Sequence, residues 1–339
     1  MFNNTLYNTP YHSLDISKYK FLVTGGAGFI GSNLVEYLLR YGAGHVRVLD
    51  NLSNGYYQNI QDFIGLPNFE FIQGDICNFE TCKEALENID FVLHQAALGS
   101  VPRSISDPIA SNNVNINGFL NILVAAKESK TLKRLVYAAS SSTYGDSPLL
   151  PKVEGKEGKP LSPYAVTKLV NELYAEVFSK VYGLHTIGLR YFNVFGPKQN
   201  PSNPYAAVIP KFIDSALNNI QPKINGDGTT YRDFTFVENV VQANILSILS
   251  EFILEQHEVV NVACGRKTSL NEIWEMISSL AKCKDLNPIY CDERSGDIKY
   301  SLADISKAAR IFNYNPIYSV EDGLSITSSY IQNQKEITK

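Results

Sequence analysis

One stretch, Lys20 to Asn51, constrains this chain more than any other: KFLVTGGAGFIGSNLVEYLLRYGAGHVRVLDN. Phe21 to Thr24 is a short apolar run of the kind that forms a buried parallel strand, and Leu34, Tyr37, Leu38 and Tyr41 recur at helical spacing across Ser32 to Tyr41. Between them stand Gly25, Gly28 and Gly31. The first permits a tight turn out of the strand, the second lets backbone approach a pyrophosphate, and the third lets the helix pack closely on the sheet. The helix start, at Phe29 and Ile30, then presents unpaired N–H groups to phosphates. A second apolar run, His45 to Leu49, ends in Asp50, about 20 residues beyond the turn, where a carboxylate takes the adenosine ribose hydroxyls. It repels a 2′-phosphate, so NAD is expected rather than NADP. Three spaced glycines alone say little; strand, glycines, helix, strand and terminal acid together predict a dinucleotide site.

The segments that follow return to the mouth of the same cleft. NLSNG, from Asn51 to Gly55, is turn-rich, and Asn51 and Ser53 can bond adenosine. A third strand, Phe69 to Gln73, leads to Asp75 and Ile76. Asp75 either accepts the adenine amino group while Ile76 covers the ring, or caps the next helix. The fourth strand, Phe91 to Leu93, ends in Gln95, Ala96 and Ala97, small enough to let a nicotinamide ribose pass close to backbone. A helix is expected over Asn112 to Ala126, with Leu120, Leu123 and Val124 inward. Asn115 on its first turn is a cofactor contact, a cap or a sheet-edge contact.

Chemistry concentrates after the fifth strand, Arg134 to Ala139. It ends in SSSTYG, whose consecutive hydroxyls Ser140, Ser141 and Ser142 pack poorly but bond well at a crevice. Downstream, Pro163 opens a long amphipathic helix on which Tyr164 and Lys168 are four residues apart and share a face. A tyrosine of pKa about 10 is a poor base, and a lysine cation one turn away favours its phenolate. Tyr164 is therefore the candidate acid/base. After the sixth strand, His185 to Arg190, proline and glycine become dense and strand–helix alternation stops.

This pattern predicts an α/β fold: a Rossmann-type doubly wound parallel sheet with a smaller, interwoven C-terminal substrate domain. Residues 1–19 are an N-terminal extension, read as a loosely packed arm. Residues 20–191, with 235–263 returning, form the cofactor domain, and 192–234 with 264–339 the substrate domain. A net charge of −4 supplies no basic field for nucleic acid or an anionic membrane. No apolar run reaches the roughly 20 residues that span a bilayer. Five scattered cysteines without C-x-x-C pairing suggest a reducing cytoplasm and no metal site.

Taken with RYFNVFGP, YAAVIPKFI, NGDGTTYRDF and ERSGD followed by AD, these motifs resemble the extended short-chain dehydrogenase/reductase family over nearly the whole chain. Within it they look most like the UDP-hexose 4-epimerases, in particular the branch that accepts UDP-N-acetylhexosamines and their uronic acids. The resemblance implies roles residue by residue. Ser140 matches the active-site hydroxyl, with Ser141 and Ser142 as sugar contacts. Tyr164 matches the catalytic tyrosine, and Lys168 its partner, which also holds the nicotinamide ribose. Phe192 matches a nicotinamide-side contact and Asn193 a diphosphate or sugar contact. Ala207, Val208 and Asn225 fall in segments that enclose uracil, while Arg232 and Arg294 match the arginines that grip the diphosphate; each arginine has a surface salt bridge as its alternative. A small residue at Ser301, where the family places a bulky tyrosine against N-acetyl groups, and the GSVPRS loop containing Ser100 both point to N-acetylated sugars. Arg103 and Lys299 are candidate readers of a C6 carboxylate. The resemblance also implies a homodimer built from two helices of each subunit, here Asn113 to Lys127 and Tyr164 to Val181.

The expected reaction is inversion at C4 of a UDP-sugar through a transient 4-keto sugar, with NAD retained. A nucleotide-sugar 4,6-dehydratase or a reductase shares the fold and the Tyr164–Lys168 pair, but a dehydratase needs a further carboxylate acid/base near the serines that SSSTYG lacks. An NAD-sensing binding protein would need neither Tyr164 nor Lys168.

Overall fold

A computed structural model describes residues 6–200, 207–251, 256–292 and 300–337. The first part of the chain runs β1 (Lys20–Thr24), α1 (Phe29–Arg40), β2 (His45–Asp50), β3 (Phe69–Gln73), α2 (Phe79–Leu86), β4 (Phe91–His94), α3 (Val101–Ser106), α4 (Pro108–Asn112), α5 (Phe119–Glu128), β5 (Arg134–Ser140), α6 (Pro163–Tyr182) and β6 (Thr186–Tyr191). Then come β7 (Val194–Phe195), α7 (Val208–Leu217), β8 (Lys223–Asn225), β9 (Tyr231–Arg232), β10 (Thr235–Phe236), α8 (Val237–Leu249), β11 (His257–Val262), β12 (Thr268–Ser269), α9 (Leu270–Leu280), β13 (Ile289–Cys291), α10 (Ser306–Phe312) and α11 (Val320–Ile337).

Seven strands form one parallel sheet in the order β11-β6-β5-β4-β1-β2-β3. Side chains alternate across it, as the pleat requires. Phe21, Val23, Val46 and Val48 face a core shared with α1 and α8, whereas Leu22, Leu49, Leu135 and Tyr137 face one shared with α2, α5 and α6. The order reverses between β1 and β4, which opens a crevice at their C-terminal ends. Three two-stranded ribbons, β7·β10, β8·β13 and β9·β12, lie outside this sheet.

Three local expectations are corrected. The segment over Asn112 to Ala126 is not one α-helix: residues Asn113–Gly118 form a π-helical turn between α4 and α5. On α5 the buried face is Phe119, Ile122, Leu123 and Ala126, while Leu120 and Val124 are half-buried. GSVPRS is not a loop throughout, because Val101 onward is α3, capped by Ser100.

The third correction concerns the N-terminal arm, which is packed rather than loose. Leu6, Tyr7 and Ile16 are buried. The Tyr7 hydroxyl donates to Asn33 Oδ1 at 2.7 Å, Tyr41 donates to the Tyr7 carbonyl at 2.6 Å, and the Tyr11 ring stacks on Tyr37 with centroids 5.1 Å apart. Asn33, Tyr37 and Tyr41 belong to α1 or its C-cap, so the arm braces the helix whose N-terminus opens on the crevice. The apolar spacing of α1 includes Tyr37 and Tyr41, but it does not reveal that the arm supplies their partners. Tyr7→Ala should lower unfolding stability by about 3 kcal/mol, read from the denaturation midpoint in urea; a loss below about 0.5 kcal/mol would restore the loose-arm reading.

Candidate active site

At the crevice lies a cavity of about 480 Å³. Its glycine turn is set by contact distance: a Cβ on Gly31 would sit 2.1 Å from the Gly25 carbonyl oxygen, and one on Gly25 would sit 2.7 Å from Ala96 N. Only bare backbone fits between β1, α1 and the end of β4. Gly28 begins α1 with no side chain capping it, so the first N–H groups of that helix open on the cavity lined by Gly28, Phe29, Ile30 and Gly31. Asp50 also lines it. One carboxylate oxygen accepts the Ala27 N–H at 3.0 Å and the other the Leu52 N–H at 2.8 Å. Those two bonds leave lone pairs for hydroxyls. Burial raises the Asp50 pKa, against the pull of those N–H groups.

The loop residues Asn51, Ser53 and Gly55 line the same wall. Asp75 and Ile76 do too, and the alternative of Asp75 as a helix cap gives way: Asn78 caps α2, whereas Asp75 accepts from Asn51 at 2.9 Å and from Cys77 N at 2.8 Å. Gln95, Ala96 and Ala97 line the opposite wall. Gln95 is held by the Tyr191 hydroxyl at 3.2 Å and donates to Asn244 of α8 at 3.3 Å. This combination of a bare glycine cradle, an uncapped helix N-terminus and a carboxylate at the end of β2 fits a dinucleotide.

Ser140, Tyr164 and Lys168 meet on the same cavity. The Ser140 oxygen accepts from the Ser142 hydroxyl at 2.9 Å and the Ser142 N–H at 3.2 Å, and it is bonded to the Tyr164 phenol. With its acceptor positions so used, the Ser140 proton is directed at the phenol oxygen. Tyr164 is in turn fixed by its own N–H, which donates to Ser104 of α3 at 3.0 Å. The Lys168 ammonium donates to the Ala138 carbonyl at 2.7 Å and stands 5.9 Å from the centre of the Tyr164 ring. Burial pushes its pKa down to about 8, with Glu172 acting in the opposite sense. Desolvation raises the Tyr164 pKa, and the bond from Ser140 opposes it. Among these protein groups it is the Ser140 hydrogen bond that opposes burial at Tyr164 and favours the phenolate.

A second cavity, of about 270 Å³, is lined by Ala207, Val208, Asn225 and Arg232, with Lys223, Thr230 and Leu270. It shares Asn193, Val194 and Ala207 with the first. Asn193 holds a backbone φ of +35° and donates to the Asp233 carbonyl at 3.1 Å. Ser100 lines the first cavity at φ +110°.

Other expected contacts fall elsewhere. Phe192 does not face either cavity; it is buried with Tyr144, ring centroids 6.1 Å apart. Asn115 is buried too, accepting the Leu98 N–H at 2.8 Å and donating to Thr167 at 3.2 Å, so it is a tie between the β4 loop and α6. The Ser142 hydroxyl is spent on Ser140, and Ser141 starts a 3₁₀ turn off both cavities. Ser301 is buried beside neither, its N–H donating to the Tyr231 carbonyl at 3.2 Å. Arg294 and Lys299 lie outside the described residues.

Sequence reasoning missed Tyr56, Tyr191, Lys198, Gln199 and Asn200 on the first cavity. Lys198 bonds Glu36 of α1 at 2.9 Å, a contact spanning 162 residues with no local signature. Arg103 also lines the cavity and donates to Asn54 Oδ1 at 2.7 Å, linking α3 to the loop after β2.

Comparison with known proteins agrees with this architecture. Residues 21–263 match the model of the NAD dependent epimerase/dehydratase family. A putative UDP-glucose 4-epimerase of Methanocaldococcus jannaschii is 34% identical, the match covering 92% of this chain and 98% of that protein. Among solved structures, the UDP-N-acetylglucosamine 4-epimerase of Methanobrevibacter ruminantium in complex with UDP-N-acetylmuramic acid is 40% identical with a TM-score of 0.87, over 93% of this chain and 99% of that one. The UDP-glucuronic acid 4-epimerase of Bacillus cereus in complex with UDP-glucuronic acid and NAD is 32% identical with a TM-score of 0.85, over the same shares, 93% and 99%. The chain therefore belongs to the NAD dependent epimerase/dehydratase family, with UDP-sugar 4-epimerases as relatives in both sequence and fold.

Proposed function

We propose that the chain inverts the C4 configuration of a UDP-N-acetylhexosamine, interconverting UDP-GlcNAc and UDP-GalNAc or their uronic acid forms through a 4-keto sugar. The observation that carries this reading is the meeting of Ser140, Tyr164 and Lys168 on a dinucleotide-shaped cavity that shares a wall with a second cavity containing Arg232. The glycine turn, the start of α1 and Asp50 would hold NAD. Bound there, it supplies a reversible two-electron acceptor for C4.

The chain's own residues then have defined tasks. The Tyr164 oxygen takes the C4 hydroxyl proton and returns it, and Ser140, fed by Ser142, stabilises the phenolate with its directed hydrogen bond. Arg232 grips the diphosphate, a role suited to guanidinium geometry, while Ala207, Val208 and Asn225 enclose uracil. With the nucleotide anchored, the sugar ring can turn over between the two proton transfers. In this reading residues 20–191 with 235–263 serve the cofactor, and 192–234 with 264–339 serve the sugar nucleotide. The carboxylates lining the first cavity among the described residues, Asp50 and Asp75, stand at the ends of β2 and β3. Strands β1 and β4 separate β2 from β5, and β2, β1 and β4 separate β3 from it, so neither lies beside Ser140 to expel water as a dehydratase requires.

The N-acetylated substrate is supported by the 40% identity to a protein named for UDP-N-acetylglucosamine and by the motif match at Ser301, which lies behind the cavity walls, bonded to Tyr231, the chain neighbour of Arg232. Free cysteines are compatible with a cytoplasmic enzyme. Val166, Leu173, Val177 and Val181 form an exposed apolar stripe at helical spacing on α6, which we assign to a second copy of the chain.

Four measurements bear on this. Purified protein without added cofactor, given UDP-GlcNAc, UDP-GlcNAcA or UDP-Glc and followed by NMR, should yield C4 epimers without accumulating NADH. Tyr164→Phe should lower that turnover about a thousandfold while its NAD content and UDP-sugar affinity stay unchanged; near-normal turnover would remove Tyr164 from the acid/base role. Ser301→Tyr should depress inversion of UDP-GlcNAc about tenfold more than that of UDP-Glc, and equal losses would remove Ser301 as a specificity determinant. The double variant Leu173→Glu, Val177→Glu should sediment as a monomer where the wild type sediments as a dimer.

A further inference from the structure

Beneath the Tyr164–Lys168 pair lies a group of charges, buried but for the half-buried Glu157, that the mechanism above leaves unused. Glu172 is one helical turn beyond Lys168 on α6, so the two side chains share a face, and both are buried. Glu172 takes two bonds from Arg190 of β6, Nε to Oε1 at 2.9 Å and Nη2 to Oε2 at 2.7 Å. The other terminal nitrogen of Arg190 bonds Glu157, in the segment between the serine turn and α6. Two carboxylates, Glu157 and Glu172, thus stand against two cations, Arg190 and Lys168, and the group balances to zero. Buried charge is costly unless balanced in this way.

Lys168 depends on that balance. Its ammonium donates to a neutral carbonyl, that of Ala138. The titratable groups that face it are Tyr164, Glu172 and His94. His94 is buried, its Nδ1 is 2.8 Å from the Thr24 hydroxyl, and burial, reinforced by Lys168, pushes its pKa down to about 3, so it is neutral. Among the described residues facing Lys168, Glu172 supplies the negative charge. Burial pushes the Glu172 carboxyl upward, and the two bonds from Arg190 hold it ionised.

We propose that Glu172, oriented by Arg190, is a positioning residue for the reaction: its charge keeps Lys168 protonated across the working pH range, so that an ammonium stands beside Tyr164 as the phenol gives up and regains its proton. This rests on the reading of Tyr164 as the acid/base in C4 inversion.

The test is the pH dependence of kcat in variants that change the charge balance in opposite senses. Glu172→Gln leaves one carboxylate against two cations, so the ammonium is lost sooner and the alkaline limb should move down by about one pH unit. Arg190→Gln leaves two carboxylates against one cation and should move that limb up. The double variant restores zero balance and should return it to the wild-type position, as should Glu172→Asp, which keeps the charge. A role confined to stability would lower activity without opposed displacements. If Arg190→Gln does not fold, Glu172→Gln against Glu172→Asp carries the test.

The same titration can be followed without sugar, by 13C NMR of protein carrying lysine labelled at Cε, with the Lys168 signal assigned by its loss in Lys168→Arg. An alkaline limb and a Lys168 titration that coincide in wild type and Glu172→Gln would overturn the proposal. A Lys168 titration displaced as described, in a protein that inverts no UDP-sugar, would support the charge assignment and instead overturn the reading of the reaction.

Discussion

The contact between Gly31 and the Gly25 carbonyl is the constraint on which the rest of the molecule depends. At the 2.1 Å a Cβ would require, no other residue fits without displacing backbone. That contact brings α1 against the turn leaving β1 and places its uncapped N-terminus at the point where strand order reverses. The crevice exists because the helix can come this close. Several of its polar groups stand on strand ends: Asp50 at the end of β2, Gln95 after β4 and Ser140 at the end of β5. The outward face of α1 is secured separately, by the tyrosines of the N-terminal arm and by Lys198 reaching Glu36.

Around Tyr164 the fold sets two opposed effects against each other. Removing the phenol from water raises its pKa, whereas a hydrogen bond aimed by the Ser142–Ser140 pair favours the phenolate. The neighbouring lysine is buried as well, which pushes its pKa down to about 8 with Glu172 acting in the opposite sense. Neither group is poised by its own sequence spacing alone. Tyr164 also meets Ser140 of the strand end, and Lys168 meets Glu172 one turn on along the same face of α6.

The sheet, the glycine cradle and the Tyr164–Lys168 pair were legible because their signals are local: a turn needs glycine where backbone meets backbone, and four residues on a helix share a face. The strand candidates agree with the sheet to within a residue or two at their ends. What stayed hidden is held by long-range contacts. Nothing in the polar arm from residue 6 to 19 announces that Tyr7 will be buried on Asn33, and nothing near Lys198 points to α1. Asn115 illustrates the reverse case. Of the three readings its position left open, the structure shows a structural tie and not a cofactor contact: the π-helical turn at Asn113–Gly118 directs it to Leu98 and Thr167. Phe192 was similarly assigned from its motif, yet strand alternation turns it from the crevice toward Tyr144, leaving Tyr191 and Asn193 on the cavity.

Asn193, Val194 and Ala207 face both cavities at once. A wall held in common makes the two binding equilibria a single thermodynamic system, for any displacement of those three residues by one occupant is felt by the other. Linkage then fixes a reciprocity: by whatever factor the first occupant alters the affinity for the second, the second alters the affinity for the first by the same factor. A protein that must retain one ligand through many exchanges of the other has, in that shared wall, a place where retention and exchange are coupled.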